Sequence, residues 1–178
     1  VQDISSGSGT QARLDGAVVV ALGGNLSGGF ASSEALLEEA LVAMRGAGLK
    51  IMARSTWWRS AAWPDPAAPE FRNGVALVDT ALDPDAVLKL LMSIERGFGR
   101  EREVANAPRT LDLDLIACGR QVLDTPALTL PHPRAHQRRF VMGPLAEIAP
   151  DWRHPVLGRT AADLAASAPV GRDASPVS

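Results

Sequence analysis

The order of hydrophobic periodicities along these 178 residues predicts an α+β fold: a ferredoxin-like antiparallel sheet with helices packed on one face, plus C-terminal helices. Three observations carry that expectation. A short apolar run at 17–22 stops at Gly23, Gly24 and Asn25, as a buried strand entering a tight turn does. Two segments repeat apolar residues at helical spacing behind capping residues. A third, at 111–117, alternates leucine with aspartate in the manner of a strand.

Taken in order, the first helix follows Ser32 or Ser33 as cap, with Leu36, Leu37, Ala40, Leu41 and Met44 on one face and Gly46 and Gly48 ending it. Residues 49–58 read as one strand, the proline-rich stretch 61–69 as a loop, and 74–78 as the next strand. Asp83 before Pro84 is a cap followed by a first-turn proline, and Val87, Leu90, Leu91 and Ile94 mark the second helical face. After the 111–117 strand, Gly119 and Arg120 turn the chain into 121–123. Helices are expected near 140–148 and 161–166. Within this order the second sheet face is left for a ligand.

Residues 1–16 are Ser/Gly-rich and lack periodicity, so they read as a flexible leader; 17–168 form the single domain, and 169–178 are expected to fray. With 46% hydrophobic and 21% charged residues and a mean hydropathy of +0.03, the composition is that of a folded globular chain. No apolar run reaches the roughly 18 residues needed to span a bilayer, so a cytoplasmic location is expected and no membrane partner. The lone Cys118 fits a reducing compartment and reads as a buried strand residue. A net charge of -2 argues against nucleic acid as a partner, and a monomer is expected. Lys50 and Lys89 are the only lysines, and arginines cluster between Arg96 and Arg139. Arginine grips phosphate oxygens with a planar fork, so the cluster hints at a polyphosphate, although a genome rich in G and C produces the same bias.

The most informative run is Pro-Arg-Thr-Leu-Asp-Leu-Asp at 108–114. Positions two apart on a strand share a face, which places Asp112 and Asp114 about 6–7 Å apart while the leucines turn inward. Such carboxylates repel unless a cation lies between them, and magnesium takes one or two carboxylates with phosphate oxygens and water completing its shell. A solvated strand face is the plainer alternative. Charged residues are depleted in strands, which favours the metal.

This run resembles the signature of the hydroxymethyl-dihydropterin pyrophosphokinases. So do the turn at Gly23, Gly24, Asn25 and Leu26, the Phe71, Arg72, Asn73 stretch, Leu130, Pro131 and His132 with Arg138, Arg139 and Phe140, and the segment from Pro144 and Leu145 to Pro150. Together they cover 17–150 in the family's order. The resemblance implies a reaction in which the hydroxymethyl oxygen of 6-hydroxymethyl-7,8-dihydropterin attacks the β-phosphorus of ATP and AMP leaves. It implies two Mg2+ ions on Asp112 and Asp114, with ATP as co-substrate. Arg100 and Arg109 are implied as catalytic residues, and Glu95, Arg102, Leu115, Thr129, His132 and Arg138 as ATP-binding. Ser60, Ala61, Trp63, Phe71, Asn73 and Phe140 are implied for the pterin, whose flat ring needs aromatic walls and an amide partner. Without the resemblance, both phenylalanines read as core. Trp57 is expected in the core and Trp58 as a pocket wall.

The chain departs from the family at Ala105 and Asn106, where a basic residue and a tryptophan are frequent, and at Glu103, Ala127 and Pro133. Two other readings are distinguishable: a non-catalytic ferredoxin-like module that binds RNA, which would show stacking aromatics and basic charge on the sheet, and a different magnesium-dependent nucleotidyl or phosphoryl transferase, which would yield another nucleotide product.

Overall fold

The computed structural model describes residues 6–62, 64–99 and 110–178. The strands of its main sheet are β1 Val18–Gly24, β2 Lys50–Arg54, β3 Trp58–Ser60, β4 Phe71–Asp79, β5 Asp112–Cys118 and β8 Ser175–Pro176. Their order is β5-β1-β4-β3-β8, with β2 also pairing β4. Strand β1 lies antiparallel between β4 and β5, so the run at 18–24 is paired on both edges and buried along its apolar part. A small separate hairpin joins β6 Leu123–Asp124 to β7 Thr129–Leu130.

Helices α2 Ser33–Gly46 and α3 Pro84–Gly97 start where the capping residues require. Ser32 Oγ accepts the Ala35 N–H at 3.1 Å, and Asp83 Oδ1 accepts that of Ala86 at 2.8 Å. Their apolar faces pack with Val18, Val20, Leu22, Leu113 and Leu115 on one side of the sheet. Val19, Ala21, Val75, Leu77 and Ile116 point to the other side, where α4 Arg139–Ile148 and α5 Ala161–Ser167 cover them. The expectation of an open second face is therefore corrected: the C-terminal helices pack on it over Val19, Ala21, Val75, Leu77 and Ile116.

Two further expectations change. Residues 6–16 form a helix, α1 Ser6–Gly16, although residues 1–5 of the expected leader lie outside the described residues. Leu14 packs on the α4/α5 core, and Asp15 pairs with Arg120 at 3.8 Å. The tail is docked: β8 pairs with β3, Asp173 accepts the Ala61 N–H at 2.6 Å, and Arg139 donates to the Ala174 and Ala165 carbonyls. The expected turn at Gly119 and Arg120 is present, closed by the Gln121 N–H on Cys118 O, and it leads into the separate hairpin at Leu123.

The expected strand at 49–58 is split for a physical reason. Arg54 pairs with Ala76 and Trp58 with Asn73, so three residues on one strand oppose two on β4, a bulge. Ser55 Oγ accepts the Val75 N–H at 3.0 Å, satisfying the group the bulge leaves over. Neighbouring strand residues face opposite sides, and a second bulge at Met52, where Ile51 pairs with Val78 and Ala53 with Leu77, offsets this one, so Trp57 shares the face of Ile51. Trp57 lies over Gly74 on the α2/α3 side, and Trp58 faces α4.

Candidate active site

Register brings the candidate side chains into rows. Residues opposite one another in antiparallel strands share a face, so Asp112, Gly23, Asn73 and Trp58 form one row and Asp114, Ala21 and Val75 the row below. Ser60 and Phe71 form the row above. All these side chains point to the α4 side. Leu111, Leu113 and Leu115 turn the other way into the core, which leaves Asp112 and Asp114 half-buried on the site face.

The pair fits a magnesium ion shared with phosphates. Among the described residues no group of three or more His, Cys, Asp or Glu is placed to hold a metal by itself. A cation here needs ligands from its substrate, which is how magnesium binds nucleotides.

Asn73 is 7% and Ser60 6% exposed, and Asn73 Nδ2 donates to Ser60 Oγ at 2.9 Å. This bond fixes the amide's orientation and aims Oδ1 toward Gly23, where an added Cβ would stand 3.4 Å from it. Phe71 is half-buried beside them, and Ala61 is exposed with its N–H held by Asp173.

Trp58 is 8% exposed and lies across Gly143, where any Cβ would come within 2.5 Å of the indole. Glu147, one turn later on α4, accepts bonds from Trp58 Nε1 at 2.9 Å, Thr56 N at 2.8 Å and Thr56 Oγ1 at 2.8 Å. Burial raises the Glu147 carboxyl pKa, and these donors with Arg54 outweigh it and leave it lowered. The pocket-wall expectation for Trp58 is thus corrected to a core anchor for α4. Trp57 is the less buried of the two, with Nε1 on Glu38 and Arg54 stacked 5.3 Å from its ring. Phe140 lies one turn before Gly143 on α4. Its ring packs on Gly171 of the tail and lies 5.8 Å from the Arg138 guanidinium.

His132 enters from the opposite side, after the cis Leu130–Pro131 bond, with its N–H on Ile116 O at 2.8 Å. Burial, then Arg138 and Arg134, lowers its pKa, and Asp112 opposes the shift. Its Nδ1 accepts the Arg134 N–H at 3.2 Å, so the neutral ring carries its proton on Nε2 and presents a donor. Thr129 is exposed on β7, three residues before it.

Two residues expected at the nucleotide have buried side chains. Leu115 is 4% exposed and faces the α2/α3 core, away from the site. Glu95 is 2% exposed, and its Oε1 accepts the Leu113 N–H at 2.7 Å. It holds β5 between the two aspartates. Arg100, Arg102, Arg109 and Trp63 lie outside the described residues. Glu147 lies in a segment that carries the resemblance but is given no role there, and sequence reasoning misses Asp173 and Gly171, which act from far along the chain.

Residues 19–150 match the family model for 7,8-dihydro-6-hydroxymethylpterin-pyrophosphokinase (HPPK). A 2-amino-4-hydroxy-6-hydroxymethyldihydropteridine pyrophosphokinase of Synechocystis sp. is 44% identical over 147 residues, covering 82% of this chain and 73% of that protein. The protein of the same name from Pseudomonas aeruginosa is 48% identical over 101 residues, covering 57% of this chain and 62% of that one. Among solved structures, wild-type Plasmodium falciparum HPPK-DHPS with pteroate superposes with a TM-score of 0.64 at 13% identity, over 84% of this chain and 44% of that one. That likeness shows the fold alone, and this chain spans less than half of the longer protein. From the match across 19–150 and the two pyrophosphokinase relatives, the chain belongs to the 7,8-dihydro-6-hydroxymethylpterin-pyrophosphokinase family.

Proposed function

We propose that this chain transfers diphosphate from ATP to 6-hydroxymethyl-7,8-dihydropterin, releasing AMP, as a step of folate biosynthesis. The observation that carries the reading is the shared sheet face: the carboxylate pair on β5 at one side and, across Gly23, an amide on β4 oriented by Ser60 at the other. Asp112 on β5 and Asn73 on β4 flank β1, so the two ends stand about 10 Å apart, two strand spacings. That separation suits a substrate whose flat ring and reacting phosphate are held separately.

In this reading Asn73, oriented by Ser60, meets the polar edge of the pterin, with Phe71 and Phe140 against its faces and Ala61 at the rim. The hydroxymethyl oxygen attacks the β-phosphorus, the bond from that phosphorus to the α-phosphate oxygen breaks, and AMP leaves with the electron pair while the hydroxyl proton passes to solvent. Two magnesium ions on Asp112 and Asp114 would neutralise phosphate charge that repels the nucleophile. His132 donates from Nε2 to a phosphate oxygen, Arg138 adds a fork of donors, and Thr129 lies toward the nucleoside. Arg100, Arg102, Arg109 and Trp63 keep the roles the resemblance implies. The proposed setting is a cytoplasmic monomer; among the described residues no helix is long and apolar enough to cross a membrane.

A split in ligand binding tests the reading. With a non-hydrolysable ATP analogue and magnesium present, Asn73→Ala is expected to weaken pterin binding about 10-fold, the loss of about 1.4 kcal/mol, and to leave the analogue's affinity unchanged. Asp112→Ala is expected to weaken the analogue–magnesium complex. Loss of both ligands in both variants, or of neither, contradicts the placement.

A further inference from the structure

The loop between β1 and α2, residues 25–32, supplies none of the site residues above, yet it touches both segments that place the carboxylate pair. Gly28 has φ 56°, and a Cβ built on it would stand 2.9 Å from Thr110 Cγ2 and 3.5 Å from Leu36 Cδ1. Its backbone therefore lies against Thr110, in a conformation and a space that only glycine fills without strain. Thr110 leads directly into Leu111, which is 0% exposed, and then Asp112. This contact bears on the entry to the metal strand.

Two residues later the Phe30 N–H bonds to Ser27 O at 2.9 Å, closing a turn that presents the ring to Phe98. The two rings stack with centroids 6.0 Å apart and planes 22° from parallel. Phe98 caps the C-terminus of α3, three residues after Glu95, whose carboxylate holds the Leu113 N–H. Phe30 is 39% exposed and belongs to neither core cluster, so core packing does not account for it. One loop thus bears on Thr110, two residues before Asp112, and on the helix end that braces the backbone between Asp112 and Asp114.

We infer that the 25–32 loop is a positioning element for the carboxylate pair, Gly28 setting Thr110 and Phe30 setting the end of α3. The inference rests on the reading of Asp112 and Asp114 as metal ligands. Neither Gly28 nor Phe30 touches substrate; each acts through the backbone of another segment. Misplacement of reacting groups by about 1 Å costs on the order of 100-fold in rate, and relieving a 2.9 Å contact to an ordinary one displaces Thr110 by a part of that. The expected loss for Gly28→Ala is about 10-fold in kcat.

The experiment measures kcat, the KM for ATP and for the pterin, and the magnesium concentration for half-maximal rate, in the full chain with melting temperature recorded alongside. Gly28→Ala is expected to lower kcat about 10-fold and raise the magnesium requirement, with little change in the pterin KM. Adding Thr110→Ser removes the clashing methyl and is expected to restore kcat to within about 3-fold, while the strain of alanine at positive φ persists in both variants. Phe30→Ala should show the same split at a melting temperature near wild type, and Phe30→Tyr should behave as wild type. Asp112→Asn is measured in parallel. If it leaves the magnesium requirement unchanged, the metal reading itself fails; if it raises the requirement while Gly28→Ala and Phe30→Ala do not, only the positioning inference is overturned. A Gly28→Ala defect that Thr110→Ser does not relieve also overturns it.

Discussion

Replacing Glu95 tests how the carboxylate strand is held. Glu95 is 2% exposed and accepts the Leu113 N–H at 2.7 Å, and Leu113 is itself 4% exposed. Glu95→Ala leaves that N–H without its acceptor, at about 1–3 kcal/mol, and opens a small cavity, for a total of about 2–4 kcal/mol. For a chain of this size the melting temperature falls by roughly 4–16 °C. Glu95→Gln keeps an acceptor oxygen in place and gives up only the charge assistance, about 1 kcal/mol. Turnover follows the same order, because Leu113 lies between Asp112 and Asp114; a loss of about 10-fold or more is expected for Glu95→Ala. Thermal melts and steady-state kinetics on the two variants decide the matter. Equal damage from Gln and Ala, or an unchanged melt with a selective rise in the KM for ATP, would refute the bracing role and return Glu95 to the nucleotide.

Asp112→Ala and Asp114→Ala are each expected to cut kcat/KM by at least about 100-fold, since a lost metal ligand forfeits several kcal/mol of charge stabilisation, while melting temperatures hold or rise as carboxylate repulsion is relieved; unfolding with normal specific activity would make them structural. Glu147 has a folded-state pKa below 4.5, so its contribution to stability is present above about pH 4.5 and is lost as pH falls through the folded value. Denaturation measured against pH should show a flatter acid limb in Glu147→Gln, and identical limbs would remove the network from the account. His154 is buried beside His136, whose ring meets it edge-on at 5.5 Å; burial first, then His136 and Arg120, pushes its pKa down to about 4. The unfolded chain binds the extra proton, so stability should fall as pH drops from about 6.5 to about 4 and level off below. In His154→Asn that limb should vanish, and its persistence would assign the proton elsewhere.

Local chemistry is readable in the sequence and distant packing is not. The caps at Ser32 and Asp83 and the faces of α2 and α3 follow from spacing within a few residues, and the structure has them as expected. The aspartate–leucine alternation on β5 likewise sets which side chains face the core. The expected 49–58 strand is broken by a bulge at Ser55 that depends on pairing with β4, which no local pattern records, while Trp57 keeps its expected core side and Trp58 is buried under α4. The docked tail depends on Asp173 reaching Ala61 and Arg139 reaching Ala174, partners 112 and 35 residues apart. Resemblance assigns Leu115 and Glu95 to the nucleotide, and their burial argues for core and brace instead. Glu147 sits in a helix whose apolar face is evident, but its three donors come from the bulge and β3, about 90 residues earlier.

The central claim is tested most directly by following the β-phosphorus. A single turnover with β-labelled ATP, hydroxymethyl-dihydropterin and magnesium is predicted to place all label in the pterin product, with unlabelled AMP formed in equal amount and none formed when pterin or magnesium is omitted. Label appearing in ADP, or AMP released without pterin, would contradict diphosphate transfer by this chain.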